Sequence, residues 1–243
     1  MYEKLKQLIR DLETMNRQPF IGYGNPDADI LIVGKECALT EGDEGWTKFY
    51  YPNFAQWKKS FEGHGFGYTY VQEPYDFEHG YFHPIFPFFE QRNKILRREK
   101  TGEGTSSTYY YYQRLIDMIH AGNAEEYENE KSPTINFFKD CFITELNDIC
   151  RLNDKGLKKI QHQEIEDHIR ERFDWMRTTN FFNTFKVVIL ACGPYSKAIK
   201  EDKILEKDLF GDALIIYCNQ LSQWDTSLNE KIAEIGKKLC FEK

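Results

Sequence analysis

Asp29-Ile30-Leu31-Ile32-Val33-Gly34 is a short, unbroken aliphatic run closed by glycine. A half-exposed strand alternates apolar with polar residues, whereas a continuous run predicts a strand covered on both faces, as in a parallel sheet. Three more runs of this kind follow: Cys141 to Leu146 (CFITEL), Lys186 to Cys192 (KVVILAC) and Ala213 to Cys218 (ALIIYC). Around them apolar residues recur at helical spacing. Leu5, Leu8, Ile9 and Leu12 form one stripe; Tyr112, Leu115, Ile116 and Ile119 form a second. Ile165, Ile169, Phe173 and Met176 form a third, and Leu228, Ile232, Ile235 and Leu239 a fourth. Strands alternating with helices predict an α/β chain: a three-layer αβα sandwich with a central, mainly parallel four-stranded sheet. Parallel strands need right-handed crossovers, and these pack on the sheet faces.

The chain has 243 residues, which one core can serve, so residues 1–243 read as a single domain. With 41% hydrophobic and 29% charged residues it is neither disordered nor of low complexity. Lys and Arg number 32 against 39 Asp and Glu, a net charge of −7. A surface that grips nucleic acid everywhere by charge is thereby excluded, because phosphate binding needs an excess of cations. No apolar run approaches the ~20 residues of a bilayer crossing, so no membrane association is expected. The opening MYEKLKQLIRDLETM mixes acids and bases without an apolar core, which predicts neither secretion nor import and hence a cytoplasmic location. Cys37, Cys141, Cys150, Cys192, Cys218 and Cys240 form no CxxC pair, so reduced thiols without disulfides, zinc or iron–sulfur clusters are expected.

In parallel sheets ligands bind beyond the carboxyl ends of the strands. The four loops there are Gly34-Lys35-Glu36-Cys37-Ala38, Glu145-Leu146-Asn147-Asp148, Gly193-Pro194-Tyr195-Ser196 and Asn219-Gln220-Leu221-Ser222. Residues 41–90 differ in kind, holding 17 of the 38 aromatic residues with neither helical nor strand period dominating. They read as an insertion whose rings either wall a pocket or pack into a secondary mini-core.

Several chemistries find no motif. There is no phosphate-cradling GxxxxGK[ST] loop and no GxSxG elbow, and Gly22-Tyr23-Gly24 precedes its strand instead of following it. His79 and His83 are four apart, but Gly80 and Pro84 oppose the helix that would join them on one metal, so no metal and no cofactor are expected. His162 and His168 read as solvated. The run Arg92 to Lys100 carries five positive charges and one negative. Arg92, Lys94, Arg97 and Arg98 form either a local phosphate-contacting patch or an ordinary solvated helix face.

Gly22-Tyr23-Gly24-Asn25-Pro26-Asp27-Ala28 followed by Asp29 to Gly34 resembles the opening of the uracil-DNA glycosylase superfamily, where a similar phrase leads into the first catalytic motif. Gly34-Lys35-Glu36-Cys37-Ala38 is similar to the GQDPY form of that motif. The resemblance implies that Glu36 is the water-activating carboxylate, with Cys37 and Ala38 beside the base. Gly65-Phe66-Gly67-Tyr68-Thr69-Tyr70 looks like the GLAFSV phrase, which makes Tyr68 the ring stacking on an extruded base. Phe142 to Asn147 resembles the strand whose end reads the base, through Asn147 or Glu145. Asn219-Gln220-Leu221-Ser222 looks like the tail of HPSPLS, with Leu221 as the wedge, Ser222 beside it on the DNA, and Asn219 nearest the place of the catalytic histidine. Tyr217 to Asn219 contain no histidine, and Ala38 stands where GQDPY has a bulky tyrosine, which implies a roomier pocket.

The chemistry can be stated without the name. Cleaving an N-glycosidic bond passes through an oxocarbenium-like state, which a carboxylate stabilises while it orients a water. The base must leave the stack, which calls for an aromatic platform and an amide reading its edge. Glu36, Tyr68 and Asn147 supply these roles on three loops of one sheet edge; an exposed loop acid, paired with Lys35 or with nothing, is the plainer reading of Glu36. The expected function is a DNA-repair-type glycosylase acting on a damaged or deaminated base. A catalytically silent nucleobase- or nucleic-acid-binding module and a small-molecule nucleoside N-glycosidase are the alternatives.

Overall fold

The computed structural model describes residues 2–36, 38–39, 53–63, 107–123, 127, 135–148, 151–152 and 159–239. Each of the four apolar runs is a strand. In chain order the strands are β1 (Tyr23–Gly24), β2 (Ile30–Gly34), β3 (Ala38–Leu39), β4 (Cys141–Glu145), β5 (Arg151–Leu152), β6 (Val187–Ala191) and β7 (Leu214–Tyr217). The main sheet has the order β1-β4-β2-β6-β7; β3 and β5 form a separate parallel pair. The β2, β4, β6 and β7 pairings are all parallel, with Ile30 opposite Cys141 on one side and Val187 on the other.

Every residue of β2, β4 and β6 is buried, so both faces of the central strands are covered, as their unbroken apolar runs require. The helices doing so are amphipathic. α1 (Glu3–Thr14) buries Leu5, Leu8, Ile9 and Leu12. After α2 (Asn53–Gly63), α3 (Ser107–Ala121) buries Tyr112, Leu115, Ile116 and Ile119. α4 (Lys159–Thr178) buries Ile165, Ile169, Phe173 and Met176. α5 (Lys197–Glu201) leads into α6 (Lys203–Phe210), and α7 (Ser227–Leu239) packs on α3 and on β6 and β7. Asp202 starts α6 by accepting hydrogen bonds from the Ile204 and Leu205 amides, which satisfies two donors of the first turn. Among the described residues no helix is long and apolar enough to cross a membrane.

Two corrections to the expected fold concern its edges. The sheet is five-stranded and mixed instead of four-stranded, because Tyr23–Gly24 pairs antiparallel with β4, Tyr23 opposite Ile143. Two residues are too few for any periodicity to register. Within the aromatic stretch, Asn53–Gly63 is a helix. Its Asn53 Oδ1 accepts from the Ile21 and Gly22 amides at 2.8 and 3.1 Å, and Asn53 Nδ2 and Trp57 Nε1 each donate to the Gly22 carbonyl at 2.8 Å. Phe54 and Trp57 belong to the main core, not to a mini-core of their own. Most of the remainder of residues 41–90 lies outside the described residues.

Candidate active site at the carboxyl ends of the strands

From β2 the chain moves to β4 on one side, then crosses back past β2 to β6 and on to β7. The direction of winding therefore reverses at β2, between it and β6, and the crevice above such a reversal is where open α/β sheets place ligands. The backbone ladder does not stop with the strands. The Leu146 amide donates to the Gly34 carbonyl at 2.8 Å and the Asn147 amide to the Lys35 carbonyl at 3.0 Å, so the two loops leave the sheet side by side.

This places Asn147 against Glu36. Asn147 Nδ2 donates to Glu36 Oε2 at 3.1 Å, and the hydroxyl of Tyr195, from the 3₁₀ turn Gly193–Ser196 after β6, donates to the same oxygen at 3.0 Å. Lys35 Nζ stands 3.3 Å from Glu36 Oε1 and 4.6 Å over the Tyr195 ring. Glu36 is only 6% exposed. It is thus paired with Lys35 yet not a solvated loop acid: three strand ends hold one buried carboxylate by charge-assisted contacts. Asn147 itself is buried, and its amide NH₂ is directed at Glu36.

Glu145 is also buried, its carboxylate lying over Gly34, where a Cβ would stand 2.1 Å from Oε2. Asn219 lies on the exposed loop after β7, its amide and Nδ2 both donating to Asp225 Oδ2 at 2.9 and 3.1 Å. Those bonds, with the donors of Ser227, hold the Asp225 carboxyl below its ordinary value. Leu221 corrects the expectation of a wedge: at 1% exposure it packs in the core and does not project from its loop. Ser222 is exposed, its amide donating to the Gln220 carbonyl. Ala38 pairs through its backbone with Arg151. Cys37, Tyr68, Arg92, Lys94, Arg97 and Arg98 lie outside the described residues.

The residues that sequence reasoning missed are Tyr195 and Arg172. Arg172, from α4, is 1% exposed. Its Nε donates to the Glu145 carbonyl at 2.8 Å, one terminal nitrogen to the Phe20 carbonyl at 2.8 Å and to Asp148 Oδ2 at 2.9 Å, and the other to Thr144 Oγ1 at 2.7 Å. One guanidinium thus ties the end of β4 to the segment entering β1. The readable signal was its position three residues after Ile169 on an apolar stripe, where a charge must be paired if it is to be buried. His168, read as solvated, instead pairs with Asp148.

Burial of Asp148 works to raise its pKa. The Arg172 charge, the His168 hydrogen bond and charge, and the Phe20 amide outweigh it and hold the carboxyl at about 2. An unfolded aspartate titrates at ~3.9, so on acidification the unfolded chain takes up this proton first. The stabilisation is complete above about pH 5 and is lost as pH falls toward 2, with a size of about 2–3 kcal/mol. Urea midpoints at pH 6 and pH 3 should therefore fall less in Asp148→Asn than in the wild type; parallel profiles would remove Asp148 from the acid response.

Burial pushes the Cys192 and Cys218 thiols up to about 12, far from reactive thiolates at neutral pH. Among the described residues no group of three or more His, Cys, Asp or Glu side chains is placed to hold a metal ion. Compared with protein-family models, curated proteins and solved structures, the chain has no match.

Proposed function

We propose that this chain is an N-glycosidase of the uracil-DNA glycosylase kind, hydrolysing the bond between sugar and a damaged or deaminated base in DNA, on that superfamily's three-layer αβα sandwich. The carrying observation is the buried Glu36 carboxylate at the winding reversal, fixed through one oxygen by Asn147 and Tyr195. Glu36 is the residue that the GQDPY-like motif assigns to water activation. A carboxylate held so firmly is preorganised to face positive charge developing at the sugar carbon, with no reorganisation at the moment of reaction. Cover on both faces of the sheet supports the layered architecture.

A second reading, hydrolysis of a free nucleoside, is favoured by the net charge of −7, which provides little general attraction for a polyanion. Both readings are tested by product release from oligonucleotides carrying deaminated and alkylated bases and from the matching nucleosides. Release from DNA that weakens steeply with salt supports the first; release from nucleosides alone supports the second. In either case Glu36→Gln is expected to slow turnover about 100-fold. Binding of modified DNA without product would instead make the chain a silent binding module.

A further inference from the structure

Cleaving an N-glycosidic bond separates two charges, positive on the sugar and negative on the base. Glu36 answers the first. A group for the second is not evident on the β7 loop, where Asn219 is tied to Asp225 through both its amide and its side chain. Arg172 is buried and directed at four oxygens of its own surroundings. Resting on the glycosidase reading, we propose that Lys35 is the catalytic cation that takes up the charge of the departing base.

Three observations support the assignment. Its side chain is 19% exposed, which leaves it open to a ligand at the strand ends while largely shielding it from water. Its ammonium is located from two sides, by Glu36 Oε1 at 3.3 Å and by the Tyr195 ring at 4.6 Å, which fixes a flexible stem that otherwise samples many rotamers. The Glu36–Lys35 pair also presents opposite charges side by side. A neutral glycosidic bond gains little from such a pair; a bond breaking into a cation and an anion gains from both ends at once. Stabilisation that grows along the reaction is what accelerates it.

The step balances within these groups. The C1′–N bond breaks with its electron pair on the base, whose developing charge the Lys35 ammonium stabilises by a hydrogen bond; proton transfer from the ammonium to the base follows the cleavage. Water forms the new C1′–O bond and gives its proton to Glu36. The direct contact between Glu36 Oε1 and Lys35 Nζ then lets that proton return to the amine, restoring carboxylate and ammonium for the next turnover.

The test measures single-turnover release from oligonucleotides whose leaving bases are graded in N–H acidity by ring substituents. Lys35→Met should lose on the order of 100-fold on the poorest leaving base and much less on the best, steepening the dependence of rate on acidity. Lys35→Arg should keep most of the wild-type slope, since a cation remains. A uniform loss across the series, or no loss, overturns the assignment while the glycosidase reading stands; Lys35→Gln serves as a second neutral variant if the methionine form unfolds. A wild-type chain that releases no base from DNA or nucleoside overturns that reading and this assignment with it.

Discussion

Replacing Arg172 by methionine is expected to lower the unfolding free energy by about 3–5 kcal/mol, the usual cost of removing one partner from a buried charge pair. The methionine fills much of the volume, so the loss is electrostatic. Asp148 keeps its charge in a site where the remaining partners are His168 and the Phe20 amide. The carbonyls of Phe20 and Glu145 and the hydroxyl of Thr144 each lose a donor, and such groups are costly when buried and unsatisfied. Domains of this kind are stable by only about 5–15 kcal/mol, so the effect is a large share of the total. Urea unfolding measures it directly. Adding Asp148→Asn should recover part of the loss, because the second change removes the stranded charge. A loss below about 1 kcal/mol, or a double variant weaker than the first by the full Asp148 contribution, would show that Arg172 is not the clamp described.

The second large effect is expected at Gly22, which has φ of +140° and donates to and accepts from the α2 side chains. A Cβ there would stand 2.2 Å from the Ile143 carbonyl oxygen and 2.6 Å from the Phe142 ring. Neither neighbour can yield easily, since one is the β4 backbone and the other is a fully buried ring. Overpacking of about 1–3 kcal/mol adds to a backbone strain of about 1–3 kcal/mol, so Gly22→Ala should cost about 3–4 kcal/mol. Gly122→Ala separates the two contributions: its φ is +83° but nothing among the described residues lies within 4 Å of the added carbon, so only the strain should appear. If both alanine variants unfold at the same urea concentration, the collision at Gly22 is not real.

The central strands β2, β4 and β6 were legible because burial on both faces forces an unbroken apolar run, and DILIVG, CFITEL and KVVILAC each carry one. ALIIYC carries one too, yet β7 lies at the sheet edge and is only partly buried. The helices were legible from the stripes that cover them. What escaped lies where long-range partners decide. Arg172 meets Phe20 from 152 positions away, and no local pattern carries that information. β1 is held by one short antiparallel register and by glycine backbone that approaches β4 closely. Leu221 was expected to be a wedge from the likeness of its loop to HPSPLS, yet the loop closes on Asp225 and the side chain is buried in the core. At the site, the loops were readable from their positions after strands and Glu36 and Asn147 within them from the family resemblance, and the two side chains do meet. Tyr195 stood in a loop singled out as relevant, but its hydroxyl has no sequence signature of its target.

The hydrogen-bonded ladder that carries on past β2 and β4 has a further consequence. The acid and its amide neighbour are adjacent through main-chain bonds, not because two side chains happen to find one another. If the proposed activity holds, surrounding rim residues should be exchangeable to admit a different guest molecule, with the central pair left standing. Such a bracket divides the molecule into a fixed jig and an interchangeable mouth, and a designer seeking new specificity would begin at the mouth.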